Sequence, residues 1–303
     1  MSGSWQLRLA EGYVRRFVRS GDWGDTDQLA RRARRIFGAP RIWAYARSAG
    51  LEIERVDKPV HGEWITPRNP RKGAILYIHG GGYVAGSTST HRPMTAALAR
   101  LTRRRVFSLE YRLAPEHRFP AAFDDALDAY RWIVAENGGD ASAIAVAGDS
   151  AGGGLTLAVL VAARDRDIPL PACAVMYSPW TDMEGLIDAP HPNSERCAMF
   201  VPSNIDDFAT AYLGAASRLD PRASPLHAEM HGLPPVLFQV GEPELLVDDS
   251  RRAHEKIQAA GGSSSLEILP HVFHGWQMLD GLIPEAREAL DRSAAFIVSH
   301  LKT

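Results

Sequence analysis

The sequence predicts an α/β fold, with a mostly parallel central sheet and helices on both faces. Short apolar runs alternate with helix-length stretches from about residue 60 to the C-terminus. Gly148-Asp149-Ser150-Ala151-Gly152 joins one such run to one such stretch, and the triplet in His79-Gly80-Gly81-Gly82 directly follows another. Parallel strands need long crossover connections, and helices supply them, so the alternation leaves both sheet faces covered.

The strand-like runs lie at 60–66, 74–79, 105–110, 144–147, 172–177, 235–240 and 265–269, and the helical stretches near 92–102, 119–136, 153–166, 248–260 and 284–300. In the first 45 residues, Tyr13, Val14, Phe17 and Val18 recur at helical spacing, which predicts a helix with one apolar face. Trp5, Trp23 and Trp43 belong to the same segment. A second irregular region, 183–219, carries Met199, Phe200, Phe208, Tyr212 and Leu213. Asp124, Asp125 and Asp128 follow Pro120 at helical spacing and are expected in the first turns of a helix, where its dipole favours them. Glu110 and Arg112, at a strand end, are expected to anchor the loop 113–120 through salt bridges.

Composition bounds the function classes. The 303 residues are 45% hydrophobic and 23% charged with a net charge of −2, an ordinary globular composition that argues against a nucleic-acid partner. The arginine clusters at 31–35 and 103–105 are local. No apolar stretch approaches the roughly 20 residues of a membrane helix. Arg8, Glu11, Arg15 and Arg16 interrupt the N-terminus, which therefore lacks the apolar centre of a secretion signal, and a cytoplasmic location is the expectation. Cys173 and Cys197 are the only cysteines and show no metal-ligand or C-x-x-C spacing, so both are expected to be inert thiols.

The chemistry centres on Ser150. A serine at a sharp strand-to-helix turn needs small neighbours two residues away on either side, and glycines occupy both positions. Such a turn exposes the hydroxyl and aims the free N–H groups of the next helix at the same point. The triplet Gly80-Gly81-Gly82 removes three side chains and permits positive φ, so its N–H groups can turn inward to hold an oxyanion. It is neither G-x-G-x-x-G nor followed by Gly-Lys-Ser/Thr, which disfavours a phosphate cradle. His79 is expected to tie that loop down.

HGGGYVAGS (79–87), YRLAPEHRFP (111–120), GDSAGGG (148–154) and SPWTD (178–182), in that order, resemble the hormone-sensitive-lipase family of α/β-hydrolases, the bacterial family IV esterases. The resemblance runs from about Val56 to the C-terminus. It implies an α/β-hydrolase fold with a helical cap, and carboxylic ester hydrolysis by a Ser, acid, His triad without cofactor or metal. By that similarity Gly81, Gly82 and Ala151 supply oxyanion-hole N–H groups. His274 matches the family's His-Gly-aromatic ending as the base, and His271, three residues earlier, is its nearest competitor. The acid departs from the usual pattern, because Glu244 stands where the triad aspartate is normally found. Glutamate can fill that role. Asp248, four residues on, remains the alternative and is also placed to cap a helix.

The expectation is a single domain over 1–303, with a cap from about 1–45 and 183–219 and the core in the remainder. The implied partner is a small-molecule ester, of short to medium acyl length, and the family resemblance leaves room for a homodimer paired through the last strand. Lactone or amide hydrolysis would use the same groups. A small-ligand receptor, like the gibberellin receptors that have lost the catalytic histidine, is the alternative of another class, and retention of His274 argues against it.

Overall fold

A computed structural model describes residues 3–19, 23–38, 46–184 and 191–302. Eight strands form one sheet: β1 (Glu52–Val56), β2 (Gly62–Thr66), β3 (Ala74–Ile78), β4 (Arg105–Leu109), β5 (Ile144–Asp149), β6 (Cys173–Tyr177), β7 (Val236–Gly241) and β8 (Ser264–Leu269). Their order is β1-β2-β4-β3-β5-β6-β7-β8, with β2 antiparallel to both β1 and β4 and every other pairing parallel. Among the described residues there are eight α-helices: α1 (Trp5–Phe17), α2 (Thr26–Phe37), α3 (Arg92–Thr102), α4 (Ala121–Glu136), α5 (Ala151–Asp165), α6 (Pro202–Leu213), α7 (Val247–Ala259) and α8 (Pro284–His300).

Two-residue alternation distributes the central strands between two apolar layers. Ile75, Tyr77, Ala145 and Val175 pack with Met94 and Leu98 of α3 and Leu290 and Ile297 of α8. Their neighbours Leu76, Ile78 and Val146 pack with Phe123 and Tyr130 of α4 and Leu155 and Val159 of α5. Towards the β8 edge, Met176 and Phe238 meet Leu160 of α5 and Ile257 of α7. Because both faces are covered, β3, β5 and β6 are buried at every position and read as unbroken apolar runs. Full burial of each large apolar side chain contributes about 1.5–3 kcal/mol.

The chain leaves β3 for β4 on one side and then crosses to β5 on the other. Such a reversal opens a crevice at the carboxyl ends of the strands. The loops following β3, β5, β7 and β8 carry Gly80–Gly82, Ser150, Glu244 and His274 respectively.

Strand β1 is absent from the sequence expectation. It is an edge strand with four exposed residues of five, and Glu-Ile-Glu-Arg-Val offers no apolar run to detect. Helix α5 begins at Ala151, two residues before the expected 153, because glycines 152–154 weaken the helical signal without breaking the helix. Arg112 anchors the chain after β4 through Asp125 of α4 at 2.8 Å, whereas Glu110 accepts the Thr88 N–H at 2.9 Å. Trp43 and residues 185–190 lie outside the described residues. No described helix is long and apolar enough to cross a membrane.

Arg92 clamps the start of α3 to β2 with bonds of 2.7 and 2.9 Å to the two carboxylate oxygens of Glu63, both side chains nearly buried. Glu63→Gln removes the carboxylate charge from this nearly buried pair and should cost about 3–5 kcal/mol, measured by denaturant unfolding. An unchanged midpoint would show that the clamp is inert.

Candidate active site

Ser150 stands at the junction of β5 and α5 with φ 53° and ψ −121°. That strained conformation is over-determined by its surroundings. Its N–H donates to the Tyr177 carbonyl at 2.8 Å, and its carbonyl accepts from Trp180 N at 2.9 Å and Gly154 N at 3.0 Å. The turn also requires a hydrogen in place of a side chain at residue 152, because a Cβ there would lie 2.0 Å from the Ile78 carbonyl oxygen.

Gly81 and Gly82 adopt φ values of 120° and 62°. The Gly81 carbonyl accepts the N–H groups of Val84 and Ala85 at 3.2 and 3.0 Å, which folds the loop back on itself. Among the described residues no protein acceptor pairs with the N–H of Gly81 or Gly82. Ala151 is the first residue of α5, so its N–H is one of that helix's free donors. His79 Nδ1 lies 2.8 Å from the Gly80 carbonyl, and its ring stacks on Tyr111 with centroids 4.2 Å apart. Burial, reinforced by the charge of His91, pushes the His79 pKa down to about 4, so it is neutral and holds the loop as expected.

His274 lies beyond β8. Gly275 turns the chain with φ 74°, and Trp276, fully buried with Leu7, Ile283 and Ala286, pins the loop from the other side. The Nδ1 of His274 is 2.6 Å from Glu244 Oε2, and both side chains are buried. The other Glu244 oxygen accepts Gly241 N at 2.6 Å and Ser178 Oγ at 2.7 Å. Asp248 sits in the first turn of α7, half exposed, 3.2 Å from His191 Nε2. His271 is exposed.

Ser150, His274, Gly81 and Gly82 line one cavity of about 440 Å³. Its apolar walls include Phe200 and the α6 residues Ile205 and Phe208. Helix α6 packs on α2, and Phe208 meets Trp23 edge to face at 5.2 Å. Helix α1 differs from expectation. Its large side chains Trp5, Leu9, Tyr13 and Phe17 are 51–65% exposed, whereas Leu7 and the adjoining Val18 are buried. The first three border the open cavity.

Three contributors were not singled out from the sequence. Ser178 and Asp249 belong to or brace the SPWTD segment that follows β6. Asp249 accepts Thr181 N at 2.6 Å and Asp182 N at 2.9 Å, and burial pushes its pKa up to about 7 against those bonds. Asn193 donates to the carbonyls of Glu242 and Glu244 at 2.7 and 2.9 Å, holding the segment that carries Glu244. Only the position of SPWTD after a strand signalled any of these in advance.

Comparison with known proteins places this arrangement. The family model described as the α/β hydrolase fold matches residues 75–278. An acetyl-hydrolase of Streptomyces hygroscopicus is 40% identical over 238 residues, covering 78% of each chain. An ethyl acetate hydrolase of Pseudomonas putida is 35% identical over 237 residues, covering 75% of this chain and 73% of that one. Among solved structures, an esterase from the bacterial hormone-sensitive lipase family superposes with a TM-score of 0.88 at 38% identity, covering all of both chains. The esterase EstE5, in a crystal soaked with p-nitrophenyl butyrate, superposes with a TM-score of 0.88 at 36% identity, covering 98% of this chain and 99% of that one.

Gly152→Ala forces its methyl group into the Ile78 carbonyl and so into the sheet itself. It should cost at least about 3 kcal/mol of stability, read as a lowered denaturant midpoint. A variant of wild-type stability would show that the turn yields more easily than its contacts indicate.

Proposed function

This chain belongs to the α/β-hydrolase family, among the esterases of the hormone-sensitive-lipase type, and from that premise we propose that Ser150, His274 and Glu244 are its catalytic residues. It is a serine hydrolase acting on carboxylic esters. The observation that carries the assignment is the 2.6 Å bond between His274 Nδ1 and Glu244, beside a cavity shared with the strained Ser150.

In this reading Glu244 holds Nδ1–H of His274, which leaves Nε2 free to accept a proton. Ser150 Oγ attacks the ester carbonyl as His274 Nε2 takes its proton. The N–H groups of Gly81, Gly82 and Ala151 receive the negative charge on the carbonyl oxygen. The tetrahedral intermediate collapses, the bond to the alcohol oxygen breaks, and His274 gives that oxygen its proton. Water then repeats the sequence on the acyl-enzyme and regenerates the serine. Ser178 and the Gly241 N–H fix the second Glu244 oxygen, so the carboxylate keeps one orientation through the cycle.

The cavity suits esters with short to medium acyl chains, in line with the ethyl acetate and p-nitrophenyl butyrate named for two relatives. The packing of α1, α2 and α6 around its opening supports a cap built from the described parts of 1–45 and 183–219 over a core formed by the remainder.

A series of p-nitrophenyl esters from two to sixteen acyl carbons tests the reading. Short and medium esters should be cleaved fastest, and Ser150→Ala should lower kcat by about 10⁴-fold or more. Substantial turnover by that variant would remove Ser150 from the mechanism. Glu244→Gln should lower kcat by about 10²–10⁴-fold, while Asp248→Asn should leave it within about twofold. The reverse pattern would move the acid to Asp248.

A further inference from the structure

Three elements converge on the side chain of Asp149, the residue before Ser150. Asp149 Oδ1 accepts Tyr77 Oη–H at 2.6 Å from β3 and Gly80 N–H at 3.0 Å from the glycine loop. Asp149 Oδ2 lies 3.3 Å from Nε2 of His91, the residue that precedes α3. The loop backbone rests so closely on this carboxylate that a Cβ on Gly80 would stand 2.3 Å from Oδ2. Asp149 and His91 are 5% and 3% exposed, and both border the catalytic cavity.

We propose that Asp149 and His91 are positioning residues, a buried ion pair that fastens the oxyanion loop to the nucleophile turn and makes turnover depend on a second imidazole besides His274. The proposal rests on the assignment of Gly81 and Gly82 as oxyanion donors.

The protonation of His91 follows from its partners. The Thr90 hydroxyl lies within donor reach of the Ser87 carbonyl at 2.9 Å. With that bond made, His91 Nδ1, 2.9 Å from Thr90 Oγ1 and 3.3 Å from the Ser87 carbonyl, is placed to donate to either oxygen. Nε2 faces a carboxylate, so acceptors stand at both nitrogens, an environment that favours the doubly protonated ring. Burial alone would lower its pKa, but the charge and hydrogen bond of Asp149, with help from the Ser87 carbonyl and Glu110, hold it above the ordinary histidine value. Burial likewise opposes ionisation of Asp149, and the charge of His91 with the Tyr77 bond keeps it below the ordinary aspartate value. The remaining titratable neighbour, His79, has its ring centre 5.4 Å from that of His91 and is neutral.

The pair is intact while His91 holds both protons and is lost as pH rises through its raised pKa. Deprotonation removes the positive charge that faces Asp149 Oδ2 and leaves a buried carboxylate without its counter-charge. That loss loosens the carboxylate on which Gly80 sits, and Gly81 and Gly82 follow. Loop position matters most when charge develops on the carbonyl oxygen, so the loss falls on kcat and little on KM.

Steady-state kinetics with p-nitrophenyl butyrate from pH 6 to 9.5 test this, alongside thermal unfolding. Wild type should lose kcat on the alkaline side. His91→Gln should lower kcat by about 10- to 100-fold at pH 7.5, with KM within about threefold, and flatten that alkaline fall. Asp149→Asn keeps an oxygen for Tyr77 and Gly80 and turns an N–H towards a neutral His91, so it should retain kcat within about tenfold and also lose the alkaline fall. A wild-type kcat that stays level to pH 9.5 would overturn the proposal, as would a His91→Gln enzyme with wild-type kcat and pH profile. Stoichiometric labelling of Ser150 by a fluorophosphonate separates the two readings. Failure to label wild type would count against the catalytic serine itself, whereas labelling together with a flat profile would count only against the pair.

Discussion

The strained backbone of Ser150 is the constraint from which the rest of the site follows. A residue with a side chain holds φ of 53° together with ψ of −121° only where its surroundings enforce it. Here they are the sheet. β5 lies between β3 and β6, the Ser150 N–H is taken by Tyr177 at the end of β6, and residue 152 is pressed against the carbonyl of Ile78 at the end of β3. The Ser150 turn is thus held by three adjacent strands, and the glycine loop that leaves β3 lies beside it. Loop chemistry is precise in this protein because the loops are short continuations of a rigid sheet.

Three buried carboxylates near the serine show how one type of group is put to different uses. Glu244 faces an imidazole, a hydroxyl and one backbone N–H, and directs one oxygen at His274. Asp149 is surrounded by donors from three elements and carries its charge at the cost of burial, offset by His91. Among the described residues Asp249 has no comparable cation, and Asp182 beside it adds a second negative charge, so burial dominates and pushes its pKa up to about 7. Its bonds to Thr181 and Asp182 fix the strand-end segment on which Ser178, the partner of Glu244, is carried. The distinction lies in the neighbours, since all three groups are almost fully buried.

Those features differ in how far sequence alone could reach them. The strand-end positions of Ser150, the glycine loop and His274 were legible because the proposed chemistry demands a particular residue within a few positions of a strand end. Glu244 was legible only through the ordered set of motifs, and its bond to His274 spans 30 positions that no local pattern encodes. His91 and Asp149 lie 58 positions apart, and neither displays its partner in the sequence. Strand β1 escaped for the opposite reason. An exposed edge strand needs no apolar face, and its signal is the backbone pairing with β2.

Helix α1 shows why periodicity alone misjudges a segment beside a cavity. Apolar residues at helical spacing normally mark a face turned into a core, and Leu7 and Val18 do turn inward. Trp5, Leu9, Tyr13 and Phe17 form a second stripe at four-residue intervals that remains exposed, and its first three members border the cavity of Ser150. One helix therefore carries a buried and an exposed apolar stripe, and the cavity borders parts of both. Core packing tolerates few changes of volume, whereas an open wall tolerates many. It follows that this wall of the cavity can be altered at little cost in stability, on a scaffold whose turn at Ser150 is held by close contacts with the sheet.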